Sequence, residues 1–537
     1  MNTLVMWLIA LGVALSSLTA SRSLMHYFQL ESYQFPGYFR TLKRNFLRAI
    51  VPGLVLTVYL ALLLLIHRSV DRVLAEGSVL RVLVALCAVA LAIVGGWWVR
   101  GLMQAHKAKK PFVVTMRVKR TYITSAILFT LLCALIGVLL KGAEPRLYFI
   151  GLFPLLLPLW VALGGLCAWP AEKLVSEMYF RDAQKKLAAR PDLIKIGITG
   201  SYGKTSVKFI LGTILQEKFQ VLVTPSSFNT PMGVTRIIRE KLMPAHQVFV
   251  AEMGARHVGD IKEMCRLVHP HHGVLTSVGP QHLDTFHDME TIVRTKFELA
   301  DSLPKDGMLF LNGDNLYIES NADRYGNVTF YRSESDGTGY RASDLSLSQS
   351  GTKFTVTAPS GESEVFQTKL VGAHNVINIT GAIAVAHKMG IPLAELRVPV
   401  RRIRPVAHRM EMKEKDGVTI IDDAYNSNPV GSKAAVETMK LLDGVRILIT
   451  PGMVELGDDE EEYNYKFGTY AAASCDYVCL IGRRHTEPIR RGLLDSGFPE
   501  EHLRVYENLE DAMSYARSIR DEGHKFILLE NDLPDNY

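Results

Sequence analysis

The stretch Leu193-Ile194-Lys195-Ile196-Gly197-Ile198-Thr199, running directly into Gly200-Ser201-Tyr202-Gly203-Lys204-Thr205-Ser206, decides the fold. The first part is a short apolar run of the kind a buried strand carries, and apolar periodicity from Thr205 to Phe219 predicts a helix behind it. Between the two, glycines let backbone N–H groups wrap a phosphate at a helix N-terminus. Lys204 is placed to supply charge to terminal phosphates, and a hydroxyl of Thr205 or Ser206 to bind Mg²⁺. A strict phosphate-loop signature has glycine where this chain has Ile198, so the match is to a shortened loop, with a plain turn as the competing reading.

Downstream, strand candidates recur at Val248 to Met253, Gly273 to Val278 and Gly307 to Leu311, with a shorter one at Val221 to Thr224. Helical segments such as Thr205 to Phe219 and Met289 to Leu303 separate them, the pattern of a doubly wound α/β domain. Ligands of such domains bind beyond the carboxyl ends of the strands, where the unusual residues of this chain fall. Glu252 closes one strand and His282 follows Gly279-Pro280-Gln281 at the end of another. Each reads either as a satisfied polar residue or as part of an Mg²⁺ shell, histidine being the less usual ligand for a hard ion. Lys296 falls in line with Met289, Ile292, Val293, Leu299, Ala300 and Leu303, on the inward stripe of its helix. It is either a lysine snorkelling at the stripe's margin or a desolvated amine, reactive toward carbonyl carbon and CO₂.

Short strands with turns at Ser350-Gly351 and Ser360-Gly361 are expected over Val328 to Leu370. After a linker near Arg404-Pro405, strands at Val418 to Ile421, Arg446 to Thr450, Tyr477 to Ile481 and Phe526 to Leu529 predict a second α/β unit.

Upstream of residue 190 the composition changes. The 537 residues are 48 % hydrophobic, and five apolar segments gather at this end: Leu4 to Ala20, Ile50 to Ile66, Val79 to Val99, Tyr122 to Leu140 and Leu147 to Ala168. Each approaches the length a helix needs to cross a bilayer, and five crossings are expected; a cleaved signal peptide is the other reading of the first. Arg22, Arg40, Lys43, Arg44 and Arg48 fill the first connection, and Arg100, Lys107, Lys109, Lys110, Arg117, Lys119 and Arg120 the third. The second and fourth mix both signs through Arg68, Asp71, Arg72, Glu76, Lys141, Glu144 and Arg146. The positive-inside rule then puts the N-terminus outside and everything after Ala168 in the cytoplasm. Charge is nearly absent from the spans, which argues for an anchor rather than a transport path. An amphipathic exit helix is expected from Trp169 to Arg190, ended by Pro191.

With 60 Lys and Arg against 54 Asp and Glu, the net charge of +6 argues against a dedicated nucleic-acid binder. Six cysteines in so long a chain exclude a disulfide scaffold and fit a reducing compartment. His269-Pro270-His271-His272 lacks a cysteine or carboxylate at ligand spacing, Cys475 and Cys479 read as core, and Asp458 to Glu462 as a solvated helix start.

An ordered set of motifs runs through residues 192 to 460: Thr199 to Ser206, Asn229 with Gly233, Ala251-Glu252-Met253-Gly254, His282, Lys296 and Asn312-Gly313-Asp314-Asn315. It continues with Gly372-Ala373-His374-Asn375-Val376-Ile377-Asn378, His408-Arg409-Met410-Glu411 and Asp422-Asp423-Ala424-Tyr425-Asn426-Ser427-Asn428-Pro429. On these the chain resembles the Mur ligase family, nearest to its MurF type, which adds D-alanyl-D-alanine in peptidoglycan precursor synthesis. Behind the five-helix transmembrane domain and juxtamembrane helix that the apolar segments predict at 1–190, the resemblance implies a central P-loop ATPase domain at 191–404 and a C-terminal Rossmann-like domain at 405–537. It implies an ATP-dependent, Mg²⁺-requiring amide ligase that forms an acyl phosphate on an acceptor carboxylate and then joins an amino acid or dipeptide to it. By carry-over, Gly200, Ser201, Gly203, Lys204, Thr205 and Ser206 hold the phosphates, with Lys204 on the β- and γ-phosphates. Thr205 or Ser206 with Glu252 would bind one Mg²⁺ and His282 a second, supported by a carbamylated Lys296. Asn375 and Asn378 would hold the adenine, Asp423 would face the ribose, and Arg409 would reach the phosphate from the third domain after hinge closure.

The chain departs from the MurF pattern in three places. The soluble N-terminal domain that grips a UDP-sugar is replaced by apolar segments, Tyr202 stands where the family usually has Asn, and Leu528-Leu529-Glu530-Asn531-Asp532-Leu533-Pro534 lacks the basic Lys-Gly-Ser-Arg pattern. The expected acceptor is a small-molecule or lipid-linked carboxylate, with an amino acid or dipeptide as the amine, membrane lipids as neighbours and no nucleic acid partner. A nucleotide-switched transporter or sensor and a polyglutamate-type elongating ligase are the competing functions.

Overall fold

The protein is described from a computed structural model. It describes residues 3–74, 79–103, 111–140, 143–226, 228–333, 338–348, 351–415, 417–425 and 427–532. Glu76, Lys107, Lys109, Lys110, Lys141, Ser350, Asn426, Leu533 and Pro534, named above, lie outside the described residues. The chain divides into two compact units, Met1–Glu177 and Met178–Leu533.

In the first unit the helices are α1 (Thr3–Ala20), α2 (Arg22–Leu30), α3 (Phe35–Arg44), α4 (Phe46–Val73), α5 (Val79–Met103), α6 (Met116–Leu139), α7 (Ala143–Gly151) and the start of α8 (Leu157–Ala188). Among the described residues four helical stretches are long and apolar enough to cross a membrane: Phe46–Val70, Val79–Gly101, Met116–Leu139 and Phe153–Ala188. Helices α1 and α2, bent by 43° where they meet, make a fifth when taken as one span.

Two boundaries differ from the expectation. The segment Leu147 to Ala168 is not one helix: α7 stops at Gly151 and a 3₁₀ turn fills Phe153–Leu156 before α8 begins. Pro154 and Pro158 lack the N–H that an uninterrupted helix would need there. Nor is there a separate exit helix, because α8 continues through Pro170 to Ala188. Small residues set the packing. A Cβ on Gly96 of α5 would lie 2.6 Å from the Ser16 carbonyl oxygen of α1, so the two helices approach at backbone distance, as membrane helices do. Leu54, Leu62, Leu86, Val94, Ile127 and Leu131 remain exposed, the surface that a bilayer-facing helix carries.

In the second unit a sheet runs in the order β2-β3-β1-β4-β5-β6-β7-β8-β9. Its strands are β1 (Ile194–Thr199), β2 (Val221–Val223), β3 (Val248–Glu252), β4 (His272–Leu275), β5 (Leu309–Asn312), β6 (Val328–Arg332), β7 (Tyr340–Ser348), β8 (Gly351–Thr357) and β9 (Ser363–Thr368). Pairing is parallel from β2 across to β7 and antiparallel for β7, β8 and β9, so the region after Val328 extends the main sheet. The near-continuous apolar sequence of β1 and β3 follows from burial on both faces. One face packs against α9 (Lys204–Leu215) and the helix Ala373–Lys388 through Ile198, Ile210, Ile214, Ile379 and Ile383. The other packs Phe249, Leu275, Ile292 and Leu299 with Phe180, Ala183 and Leu187, so the last turns of α8 belong to this core.

A second sheet follows, with β10 (Glu411–Lys415), β11 (Val418–Asp423), β12 (Val445–Thr450), β13 (Tyr477–Ile481), β14 (Leu503–Tyr506) and β15 (Lys525–Glu530) in the order β10-β11-β15-β12-β13-β14. It is parallel except for the edge strand β10, which sequence reading missed along with β14. The chain crosses from β3 past β1 to β4, which makes the carboxyl ends of β1, β3 and β4 the switch point at which an α/β sheet binds ligands.

Candidate active site

The phosphate-type loop leaves β1 at that switch point. Gly200 has φ +149°, and a Cβ there would fall 2.2 Å from Thr276 Oγ1, so only glycine fits. Gly203, at φ +78°, opens α9. The loop is tied to the end of β4: Ser201 N–H donates to the Ser277 carbonyl at 2.6 Å and Ser201 Oγ to that of Gly279 at 2.9 Å. Tyr202 donates its phenol to the Pro280 carbonyl and packs on Gly279, which accounts for an aromatic residue in this loop. Lys204 Nζ donates to the carbonyls of Gly200 and Ser201, both at 2.8 Å, folding back over the loop. Burial pushes its pKa down to about 8, with Glu252 opposing and Arg409 adding to the fall. Among the described residues the Ser206 hydroxyl makes no hydrogen bond, whereas Thr205 Oγ1 donates to Glu252 Oε1 at 3.0 Å.

Glu252, at the carboxyl end of β3, is 1 % exposed. Its Oε1 also accepts from Asn229 Nδ2 at 3.1 Å, and its Oε2 accepts from Lys208 Nζ at 2.9 Å. Burial alone would raise this carboxyl, but the Lys208 and Lys204 ammonium groups outweigh it and hold the pKa below the usual carboxylate value. Lys208, fully buried and also bonded to the Ser226 carbonyl, is a site residue that the sequence reading missed. The signal was present: Lys208 shares the inward stripe of α9 with Leu211 and Leu215, as Lys296 does on its own helix.

His282 follows β4 with φ +53°, and its Nδ1 lies 2.9 Å from Glu455 Oε2 in the turn after β12. The second α/β domain thus reaches the first at this point, with Arg256 Nη2 3.7 Å from the other Glu455 oxygen. Burial lowers the His282 pKa, the Glu455 bond opposes this, and Arg256 and Lys296 add to it. Lys296 is 1 % exposed, its ammonium 5.8 Å from the Phe286 ring centre, and among the described residues it makes no hydrogen bond. Burial, then repulsion from Lys204, drive its pKa far below the ordinary lysine value, against the weaker pull of Asp260 and Glu298.

Arg409 stacks over Tyr425 with its guanidinium 4.5 Å from the ring centre, and it acts electrostatically on Lys204, Lys208 and Asp423. Asp423 Oδ1 accepts the Met410 N–H at 3.1 Å. On the neighbouring strand its register partner is Glu530, which accepts from Ser427 Oγ at 2.6 Å. Burial, then the closeness of the two carboxyls, pushes Glu530 far up, and burial raises Asp423. Of the two asparagines expected at the adenine, Asn378 abuts the loop, its Oδ1 3.0 Å from where a Cβ on Gly203 would lie. Asn375 is buried and donates its amide to the Val371 carbonyl at 2.8 Å. His271 and His272 accept backbone N–H bonds from Lys195 and Met308, both at 3.2 Å, while Cys475 and Cys479 are buried in the second domain's core.

A phosphate-type loop at the switch point of one parallel sheet, reached by an arginine and a glutamate from a second α/β domain, defines a two-domain nucleotide-binding protein. Residues 198–386 match the Mur ligase middle domain, and residues 408–529 the domain described as Mur ligase, glutamate ligase domain. The chain belongs to the Mur ligase family. It is 32 % identical over 281 residues to the UDP-N-acetylmuramoyl-tripeptide--D-alanyl-D-alanine ligase of Bacillus subtilis, an alignment covering 51 % of this chain and 59 % of the relative. It is 26 % identical over 328 residues to the enzyme of that name from Escherichia coli, covering 60 % and 68 %. In fold it is similar to MurF from Acinetobacter baumannii, with a TM-score of 0.61 at 23 % identity over 66 % of this chain and 77 % of that one. It is also similar to MurF ligase from Thermotoga maritima in complex with ADP, with a TM-score of 0.59 at 24 % identity over 66 % and 80 %.

Proposed function

We propose that this chain is a membrane-anchored, ATP-dependent ligase of the MurF type in cell-envelope precursor synthesis, with its parts at residues 1–190, 191–404 and 405–537. The observation that carries the reading is the convergence of Lys204, Glu252, His282 and Arg409 at the strand ends, combined with the family membership. The γ-phosphoryl of ATP would pass to an acceptor carboxylate, giving an acyl phosphate and ADP. An incoming amine would then attack the acyl carbon, expelling phosphate and leaving an amide. Such chemistry needs positioned cations and aligned substrates more than a nucleophile of its own. Lys204 and the loop N–H groups bind the phosphates, and Arg409 adds charge from the second domain. Asn378 borders the nucleotide from the helix Ala373–Lys388 and Asp423 faces its ribose, while Tyr202 and the buried walls exclude water.

Oxygen donors suit Mg²⁺, and Thr205 Oγ1 beside Glu252 Oε1 supplies such a set. Thr205, Ser206 and Glu252 would hold one ion and His282 a second, the metal contributing neutralisation of phosphate charge. Lys296, neutral by burial and without a hydrogen-bonding partner among the described residues, would add CO₂ to give a carbamate and a proton. That carbamate would be the missing oxygen donor beside His282. The apolar helices would anchor the protein in the plasma membrane with its N-terminus outside and its ligase domains cytoplasmic, following the loop charges.

In this reading the acceptor is lipid-linked, because a membrane-embedded unit stands where the MurF type has its UDP-sugar domain. ADP release by the full-length protein, measured with membrane-extracted lipid precursor against soluble UDP-linked precursor, tests it. Turnover with the lipid-linked acceptor is expected; turnover with only the soluble one would reject the membrane acceptor.

A further inference from the structure

Most arginines along the helices of the first unit have their partners inside the protein. Arg120 donates to both Glu172 oxygens, Nη2 at 3.0 Å, with Arg117 Nε 3.9 Å from the same carboxylate, and Arg146 Nε donates to the Leu140 carbonyl at 2.9 Å. Arg22 and Arg100 differ. Both are half-buried, and among the described residues neither makes an ion pair or a hydrogen bond. Each guanidinium instead lies over a ring, Arg22 over Phe112 and Arg100 over Trp97, both 5.0 Å from the ring centre. A cation–π contact of this kind holds the guanidinium beside the ring and leaves its N–H donors without an acceptor among the described residues.

The two groups converge. Helix α1 ends at Ala20, Arg22 opens α2 at the 43° bend, and Arg100 lies near the end of α5, which packs along α1. Helices α1 and α5 run side by side in the same direction, a Cβ on Gly12 of α1 falling 3.2 Å from Val89 of α5 and one on Gly96 of α5 falling 3.0 Å from Thr19 Oγ1 of α1, which carries Arg22 and Arg100 to the same end. Trp97 and Trp98 are more than half exposed beside Arg100, placing the pair at headgroup depth, where aromatic belts sit. Two guanidinium forks whose donors are unused among the described residues match the oxygens of a phosphate, and basic pockets between helices at this depth are where anionic headgroups dock.

We propose that Arg22 and Arg100 form a binding site for the phosphate headgroup of an anionic membrane lipid, at the end of the helical unit where α5 finishes and α6 begins. A lipid is the source rather than free phosphate because the site opens among exposed tryptophans and apolar helix surface, where acyl chains can lie. The site does not depend on the ligase reading.

Native mass spectrometry of the full-length protein, released from phosphatidylcholine bilayers doped with phosphatidylglycerol, tests it. One phosphatidylglycerol should be retained through activation. Arg22→Gln with Arg100→Gln should weaken retention about tenfold or more, as loss of two charge-assisted contacts implies. Lys43→Gln with Lys119→Gln removes the same charge from exposed lysines and should change nothing. If the glutamine pair fails to fold, Arg22→Lys with Arg100→Lys keeps both charges, loses the forks, and should still weaken retention. Equal effects of the arginine and exposed-lysine pairs, unchanged retention in the lysine-for-arginine pair, equal retention of phosphatidylcholine, or displacement by millimolar inorganic phosphate would each overturn the proposal.

Discussion

Lys208 Nζ stands 2.9 Å from Glu252 Oε2, both side chains closed to solvent. The Glu252 carboxylate is thereby held charged and oriented at the end of β3. Lys208→Met should strand that charge and cost about 3–5 kcal/mol, whereas Lys208→Met combined with Glu252→Gln should recover much of the loss. Urea denaturation of the three proteins measures this; additive losses in the double variant would show that the two groups do not act as a pair.

His282 and Glu455 join the two α/β domains. Burial lowers the folded pKa of His282 below its unfolded value near 6.5, so the unfolded chain binds more protons between the two values. The contribution of this residue to stability is therefore full above about pH 6.5 and declines as pH falls toward the folded pKa. Glu455→Gln removes the partner that opposes the shift and should steepen the decline. Melting temperature against pH from 5 to 8 shows it; identical slopes in the variant and the native protein would contradict the coupling.

The Asp423 and Glu530 pair has the opposite sign. Burial and the neighbouring Asp423 carboxyl raise the folded pKa of Glu530, so the folded state binds more protons once pH exceeds the unfolded value of about 4.5. Stability is lost as pH rises from there toward the folded pKa. Glu530→Gln keeps the shape without the titration, so it should melt higher than the native protein at pH 8, with the gap closing near pH 5. A constant gap across that range would contradict the raised pKa of Glu530.

Much of this architecture was legible because periodicity survives folding. The isoleucines of β1 and the stripe carrying Lys296 are local patterns, and the structure buries both. Partners distant in sequence were not legible. Glu455 meets His282 across 173 residues, and nothing near either residue announces the other. Lys208 was hidden in the same way: its stripe was visible, but its partner lies 44 residues away on β3. Prolines misled in both directions. Pro154 breaks an apolar segment that hydropathy reads as continuous, whereas Pro170 sits inside a helix that simply continues.

Gly200→Ala should be severe for its size. The added Cβ would meet Thr276 Oγ1 at 2.2 Å and the Ser277 carbonyl oxygen at 2.8 Å, at a φ of +149° that L-residues rarely adopt. A loss of about 2 kcal/mol or more in stability is expected together with failure to bind ATP. Calorimetric titration with ATP checks the binding; affinity equal to the native protein's would show that the loop backbone does not cradle phosphate.

The most direct measurement is hydroxylamine trapping on the full-length protein with ATP, Mg²⁺ and envelope-precursor carboxylates, read by mass spectrometry. An acceptor hydroxamate that requires ATP and disappears in Lys204→Met is expected, because an acyl phosphate would form in the cleft shared by Lys204, Glu252 and His282. ATP cleavage without any hydroxamate would contradict the account and favour a nucleotide switch.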